Sequence, residues 1–66
     1  MARLQAPMRS TAITRVEYDT DSQELLVTFP DGRTYSHLGV PQDVYDGLVQ
    51  APSAGRYYHA VIKGIY

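Results

Sequence analysis

The sequence predicts a small α+β fold in which a three-stranded antiparallel meander is followed by two short helices packed on one of its faces (βββαα). Two observations support this prediction. Up to Leu38, apolar residues alternate with polar ones between turn residues, as in β-strands. Beyond Leu38, apolar residues recur at helical spacing between prolines. Since the chain has 66 residues, we expect a single domain with a thin core.

The three strands are predicted over residues 10–18, 24–29 and 33–38, and residues 1–9 are predicted to be a flexible arm outside the domain, which spans residues 10–66. In the first strand, four residues are expected to share one face: Ala12, Thr14, Val16 and Tyr18. Ile13 is out of phase with them, which suggests a bulge. In the second strand, the residues expected to point inward are Leu25, Val27 and Phe29. Pro30-Asp31-Gly32 predicts a hairpin turn, because glycine readily adopts a positive φ.

The two helices are bounded by proline and serine. Pro41 is expected at the first turn of the first helix, where its missing N–H costs nothing. Pro52 ends that helix, because its ring disfavours the α conformation at the residue before it. Ser53 is then the predicted N-cap of the second helix. The core is expected to contain Leu25, Val27, Phe29, Val44, Leu48 and Ile62.

The charges are unevenly distributed along the chain. All seven acidic residues lie between Glu17 and Asp46, and the formal net charge is −1. Arg56 and Lys63 follow without any acid, and three arginines lie in the stretch up to Arg15, so a sparse basic face is expected on the second helix and the N-terminal arm. Long nucleic acid needs many phosphate contacts, so this charge disfavours an extended nucleic-acid footprint.

The composition excludes several classes of site. There are no cysteines, so disulfides and thiolate zinc sites are excluded, and His37 and His59 lack a carboxylate partner for a metal site. No metal or cofactor is therefore expected. No apolar run is long enough to cross a membrane, and the first ten residues lack the apolar segment of a signal peptide, so a cytoplasmic protein is expected. A small core without disulfides or metal favours a homo-oligomer.

Two groups of residues are candidates for ligand binding. Tyr35 and His37 share one face of the third strand beside the helix start, where their rings can stack on a base or can simply be structural. Ser53, Gly55 and Arg56 form the candidate anion site, because a helix N-terminus offers unpaired N–H groups and Arg56 adds a charge. Ser-x-Gly also begins many helices purely as a cap.

His59 follows the anion site along the second helix and is expected either to face the same pocket or to pack. His37 and His59 as a general acid–base pair would need a nucleophile or an oxyanion site, which no other residue supplies. We therefore expect no enzyme.

A series of residues in fixed order carries a family resemblance: Ser10, Ile13, Tyr18, Leu25, Val27, Phe29, Gly32, Tyr35, Gly39-Val40-Pro41, Leu48, Ala51, Ser53, Gly55, Tyr57-Tyr58, Ile62 and Tyr66. This series resembles the KTSC domain, a short bacterial and phage domain named for its occurrence at the C-terminus of some lysyl-tRNA synthetases. The family's central Tyr-x-Tyr is Tyr35-Ser36-His37 here, and His59 stands where asparagine is expected. The resemblance implies a non-catalytic module, with RNA binding suggested by its synthetase context.

Two functions stay open at this point, and the first has a more specific version. The first is a binding module for a phosphate-bearing ligand, either RNA or a compact nucleotide that needs only one or two cationic contacts. A phage homo-oligomer that sequesters a host cyclic-nucleotide immune signal is a concrete version of it. Alternatively, the chain is an oligomeric protein-interaction adaptor, since tyrosines are enriched at protein interfaces. A ligand is expected near Ser53, Gly55 and Arg56, with Tyr35 and His37 flanking it.

Overall fold

The computed structural model describes residues 3–8 and 11–66, which form a four-stranded antiparallel sheet followed by two helical segments. The strands are β1 (Arg3–Pro7), β2 (Arg15–Asp19), β3 (Glu24–Thr28) and β4 (Thr34–His37). The helical segments are α1 (Gln42–Gln50) and α2 (Ala54–Tyr57), and α2 continues directly into a π-helical turn (Tyr58–Ile62). The strand order is β1-β2-β3-β4, so each strand pairs with its neighbour in sequence. The α+β class and the sheet-then-helices order are confirmed.

The strand β1 corrects two predictions made from the sequence. The sheet has four strands where three were predicted, because Arg3–Pro7 pairs antiparallel with β2 instead of forming a flexible arm. Leu4 lies opposite Tyr18 and Ala6 opposite Val16, so both pack half-buried against the core. Residues 1, 2 and 9 of the predicted arm, and Ser10, lie outside the described residues.

The predicted first strand is shorter than expected. Strand β2 begins only at Arg15, and residues 11–14 form an irregular loop in which Ala12 and Thr14 are exposed. Ile13 is fully buried, so the loop closes over the end of the core with this one side chain. The alternation of Val16 and Tyr18 is confirmed, because both are buried.

The two faces of the sheet differ in chemistry. The inner face buries Val16 and Tyr18 of β2 and their neighbours on β3 beneath the helices. The outer face carries ion pairs: Arg3 of β1 lies 3.1 Å from Glu17 of β2, and Arg15, on the same strand as Glu17, approaches its carboxylate at 3.1 Å. Exposed pairs of this kind contribute only about 0–1 kcal/mol each, so the core sets the stability.

Among the described residues, eleven hydrophobic side chains are buried in the core: Ile13, Val16, Tyr18, Leu25, Val27, Val40, Tyr45, Leu48, Ala54, Tyr58 and Ile62. Of the six residues predicted for it, Leu25, Val27, Leu48 and Ile62 are fully buried, and Phe29 and Val44 are partly buried at its edge. Tyr18 stacks on Tyr45 with ring centroids 5.1 Å apart and donates its hydroxyl to the main-chain oxygen of Val40. Its polar group is therefore satisfied inside the core.

The helix boundaries follow the predicted signals. Helix α1 begins after Pro41 and ends at Gln50, and Ala51 before Pro52 is extended (φ −64°, ψ 136°). Ser53 caps α2, because its hydroxyl accepts the N–H of Arg56 at 3.4 Å. Ile65 is 64% exposed beyond the helix. Within the described ranges, 3–8 and 11–66, no helix is long and apolar enough to cross a bilayer.

Candidate functional site

An open cleft of about 620 Å³ lies between the β3–β4 hairpin and the final helical turns, and we call it the aromatic cleft. Its lining residues are Phe29, Pro30, Asp31, Tyr35, Tyr58, His59 and Lys63. The hairpin contributes one wall because Gly32 takes a positive φ of 89°, which lets Phe29 bond to both Gly32 and Arg33 across the turn. The tight turn holds the ring of Phe29 and the loop at Pro30 on the inner side of the sheet.

Tyr58 is the centre of the aromatic contacts in the cleft. Its ring meets Phe29 edge to face at 5.4 Å, and it also contacts His37 at 5.4 Å and His59 at 5.7 Å between centroids. Phe29 in turn meets Tyr35 at 5.4 Å. Edge-to-face pairs of this kind are each worth roughly 0.5–1.5 kcal/mol beyond the area that they bury. The cluster is therefore a packed wall with defined ring orientations.

His37 holds Tyr58 in place from behind the wall. Its Nε2 lies 2.9 Å from the Tyr58 hydroxyl, and its Nδ1 lies 3.3 Å from the main-chain oxygen of Tyr66. That oxygen can only accept, so in the neutral ring Nδ1 carries the proton and Nε2 accepts the Tyr58 O–H. Burial, more than the neighbouring Tyr35, raises the pKa of Tyr58. The hydroxyl therefore stays protonated as the donor to His37.

The π-helical turn decides which side chains face the cleft. The N–H of Lys63 bonds to the oxygen of Tyr58, five residues earlier, at 2.8 Å, in place of the usual four-residue step. Single π turns of this kind are often found at functional sites. Here the wider turn keeps Tyr58 and Ile62 buried while His59 and Lys63 both line the cleft.

The cleft contains one charge of each sign, and the two differ in their partners. Asp31 accepts the backbone N–H of Arg33 at 3.0 Å, and its other oxygen lies 3.5 Å from the Arg33 guanidinium. Lys63 makes no ion pair or side-chain hydrogen bond within the part of the chain that the structure describes. Its ammonium group is thus the cation of the cleft that is available to a ligand.

The residues predicted for ligand binding separate into two groups. Tyr35 and His59 line the aromatic cleft, and His37 supports it through Tyr58. Ser53, Gly55 and Arg56 are not among the residues that line this cleft.

The second group has structural roles in the fold. Ser53 acts as a helix cap. Gly55 packs so closely on the loop before β2 that an added Cβ would lie 2.9 Å from the Cβ of Ala12. Arg56 is exposed beside them.

Three residues that line the cleft were not predicted from the sequence to do so: Phe29, Tyr58 and Lys63. Phe29 was expected in the core, and Tyr58 is part of the family resemblance; both do pack with the core, and both also line the cleft. Lys63 lies four residues after His59, a spacing that places two helical residues on one side. That spacing was the available signal for a basic group beside the predicted ring.

The sequence and structure comparisons with known proteins agree on one family. The sequence model of the KTSC domain matches residues 9–66. A protein from Tsukamurella paurometabola is 39% identical over 86% of this chain and 85% of its own length. The lysine–tRNA ligase of Trichormus variabilis is 38% identical over 79% of this chain, which amounts to 9% of the ligase. The crystal structure of a KTSC domain protein from Yersinia pestis superposes with a TM-score of 0.89 at 36% identity, covering 97% of this chain and 90% of the other.

Proposed function

The chain belongs to the KTSC domain family, and on that premise we propose that it is a non-catalytic binding module for a phosphate-bearing ligand, either single-stranded RNA or a compact nucleotide. The aromatic cleft is the binding site in this proposal. The base stacks against Tyr35 and His59, and a phosphate bonds to Lys63. The observation that supports it best is the presence of exposed rings and an unpaired ammonium group in one cleft.

The exposure of the rings decides which of them can receive a base. Tyr58 is 5% exposed and fastened to His37, so it serves as the floor of the cleft. Tyr35 is 45% exposed and meets Phe29 edge to face, so part of its ring is open for a base to stack on. Stacking of one base on one aromatic ring contributes roughly 1–3 kcal/mol and tolerates any base, which suits a module with broad sequence preference.

The charge of the site limits the size of the ligand. Lys63 is the one cation among the residues that line the cleft, and Asp31 on the opposite wall repels a second phosphate there. A duplex footprint releases many counterions through many basic contacts. One phosphate per cleft therefore favours a nucleotide or a short single strand over double-stranded nucleic acid.

The relatives support RNA as the source of that nucleotide. Lysine–tRNA ligases of two Nostoc species and of Trichormus variabilis contain a segment similar to this chain, with 33–38% identity. Each of these relatives is named for a reaction on tRNA. An added module with exposed rings and a basic group is consistent with holding an unpaired nucleotide of such a substrate.

The lining side chains also favour binding over catalysis. Tyr58 is the nearest hydroxyl to an imidazole, but its raised pKa keeps it protonated and its proton is donated to His37. An activated nucleophile also donates its proton to a base, but its oxygen must be exposed to the substrate, whereas Tyr58 is 5% exposed. We therefore infer a module that holds its ligand without changing it.

The first prediction compares Arg56, near the start of the second helical segment, with Lys63, directly after its end. Lys63→Ala is expected to weaken binding of short RNA oligomers and of mono-, di- and cyclic nucleotides by about tenfold to a hundredfold, the worth of a charge-assisted hydrogen bond. Arg56→Ala removes an equal charge outside the cleft and is the matched control, expected to change affinity less than about threefold at moderate salt. Isothermal titration calorimetry measures both.

Two outcomes would count against the proposal. If wild-type protein binds none of these ligands, the cleft is not a nucleotide site. If Arg56→Ala weakens binding as much as Lys63→Ala, the ligand lies at the start of α2 and the aromatic cleft is the wrong location.

A further inference from the structure

The two edges of the sheet are protected to different degrees. The edge strand β1 contains Pro7, which has no N–H to offer, and Arg3, whose charge is held over the outer face by Glu17. The edge strand β4 reads Thr-Tyr-Ser-His, without proline, lysine, arginine or acid. Natural sheets block exposed edges with charges and prolines, so an unblocked edge is typical of a strand that pairs with another chain.

The turn before β4 shows which backbone groups of this edge face outward. The N–H of Phe29 bonds to the oxygen of Arg33 at 2.8 Å, so that pair is a hydrogen-bonded one. Bonded and non-bonded pairs alternate in an antiparallel ladder. Tyr35 and His37 therefore bond to β3, and the N–H and C=O groups of Thr34 and Ser36 point away from the sheet.

Exposed apolar side chains gather beside the same edge. Five large hydrophobic residues are exposed in the described part of the chain, and four of them are close to β4. Tyr35 lies on the strand and Leu38, 67% exposed, follows it directly. Ile65 and Tyr66 are brought there by the bond from His37 to the Tyr66 oxygen. Such a concentration marks an interaction surface and not random exposure.

We propose that β4 pairs antiparallel with β4 of a second copy of this chain, about a two-fold axis at Ser36. In this register Tyr35 lies opposite His37 of the partner subunit, and Thr34 lies opposite the partner's Leu38. The helices of both copies stay on the same side of the joined sheet, because the register keeps the pleat in phase. The proposal does not rest on the proposed nucleotide binding, although Tyr35 belongs to both surfaces.

The position of Arg33 selects this register. A two-fold at Tyr35 would also keep the pleat in phase, but it would place the long side chain of Arg33 against the partner subunit's His37, the ring that holds Tyr58 in place. With the axis at Ser36, Arg33 lies opposite the partner's Gly39, which has no side chain to crowd it. Pairing of β4 with β1 would bring in Pro7 and would generate an open chain of molecules, whereas pairing of β4 with itself closes after two copies.

The first test uses the absence of cysteine from the sequence. Bonded residues opposite each other in an antiparallel pair have Cα atoms about 5.5 Å apart, which is within disulfide range. Ser36→Cys is therefore expected to give a covalent dimer under mild oxidation. Val49→Cys places a thiol at an exposed apolar position away from β4 and is expected to stay mostly unlinked. Equal cross-linking of the two variants would overturn the proposed axis.

The second test measures mass by light scattering as a function of concentration. Ser36→Pro removes an outward N–H without removing a bond to β3, and is expected to weaken the dimer by about tenfold or more. Ser36→Ala, which loses only the side-chain bond to Glu24, is expected to dimerise like wild type. Leu38→Lys, with Val49→Lys as its control, gives a second route if the proline variant fails to fold. The proposal is overturned if the wild-type protein has the mass of one chain at high micromolar concentration; the edge is then left for an extended segment of another protein. It is also overturned if both Ser36→Pro and Leu38→Lys still form dimers.

Discussion

At the scale of single residues, one missing methyl group sets how the second helical segment lies on the first. Gly47 in α1 faces the ring of Tyr57, and a Cβ built there would lie 2.8 Å from the ring carbon Cζ. The close approach lets the Tyr57 hydroxyl donate to the main-chain oxygen of Val44 at 3.0 Å. Glycine lowers helix propensity by about 1 kcal/mol relative to alanine. The packing of Tyr57 and its hydrogen bond, which the missing Cβ allows, offset that cost.

A double-mutant cycle tests this contact. Gly47→Ala is expected to lower the free energy of unfolding by about 1–3 kcal/mol, because Tyr57 must move away and lose its bond to Val44. In a Tyr57→Ala background the same change should be neutral or slightly stabilising, since only helix propensity is then left. Urea unfolding followed by circular dichroism measures all four proteins. A full loss in the Tyr57→Ala background would show that Gly47 acts through something other than this ring.

Only some of the residues of the cleft could be predicted from the sequence. Tyr35 could be selected because it lies on a strand beside a helix start, and His59 because it follows the predicted anion site along the second helix. Lys63 had only its four-residue spacing from His59 as a signal, and that spacing does not specify the π turn that precedes Lys63. His37 was expected to meet a ligand, but its bond to Tyr58 is a tertiary contact between residues 21 positions apart.

At the scale of elements, β1 illustrates what short-range patterns cannot predict. Arg3–Pro7 offers only Leu4 and Ala6 to the core, and both are half-buried. Its pairing with β2 is completed by partners far along the chain, such as Arg15, which donates to Gln5 at 2.6 Å. By contrast, burial alternates along β3 and a local turn signal follows it, so the β3–β4 hairpin was predictable.

Alternate residues of β1 provide a test of its pairing. Leu4→Ala is expected to cost about 1–2 kcal/mol of unfolding free energy, less than at a fully buried leucine, because Leu4 packs half-buried opposite Tyr18. Gln5→Ala, one residue on and facing outward, should cost less than about 0.5 kcal/mol. Chemical denaturation gives both values. If neither substitution changes stability, β1 does not contribute to the folded state in solution.

At the scale of the whole molecule, the tyrosines couple stability to alkaline pH. Burial is the largest cause that raises the pKa of Tyr18, Tyr45, Tyr57 and Tyr58 above the ordinary value of 10.0. Above that pH the unfolded chain releases phenolic protons that the folded chain retains. The contribution is therefore fully present below about pH 10 and is lost as the pH rises through the folded-state values.

The free energy of unfolding is accordingly expected to be level between about pH 8 and 9.5 and to fall steeply above pH 10. Denaturation curves collected across this range measure the slope. Tyr45→Phe removes one of the shifted groups while keeping its stacking on Tyr18, so its slope should be shallower. A free energy that stays level up to pH 11 would contradict the linkage.

The positions of the chain ends decide how the molecule can be attached to anything else. Strand β1 and strand β4 are opposite edges of the sheet, separated by three strand spacings of about 4.8 Å each. A tether joined upstream of Arg3 therefore leaves from the edge remote from the aromatic cleft. One joined after Tyr66 emerges beside His37, next to the floor of the cleft and the exposed strand edge. Immobilisation through the upstream side leaves both surfaces open to an analyte, whereas a downstream tag crowds them and would depress the apparent affinity for reasons unrelated to the site.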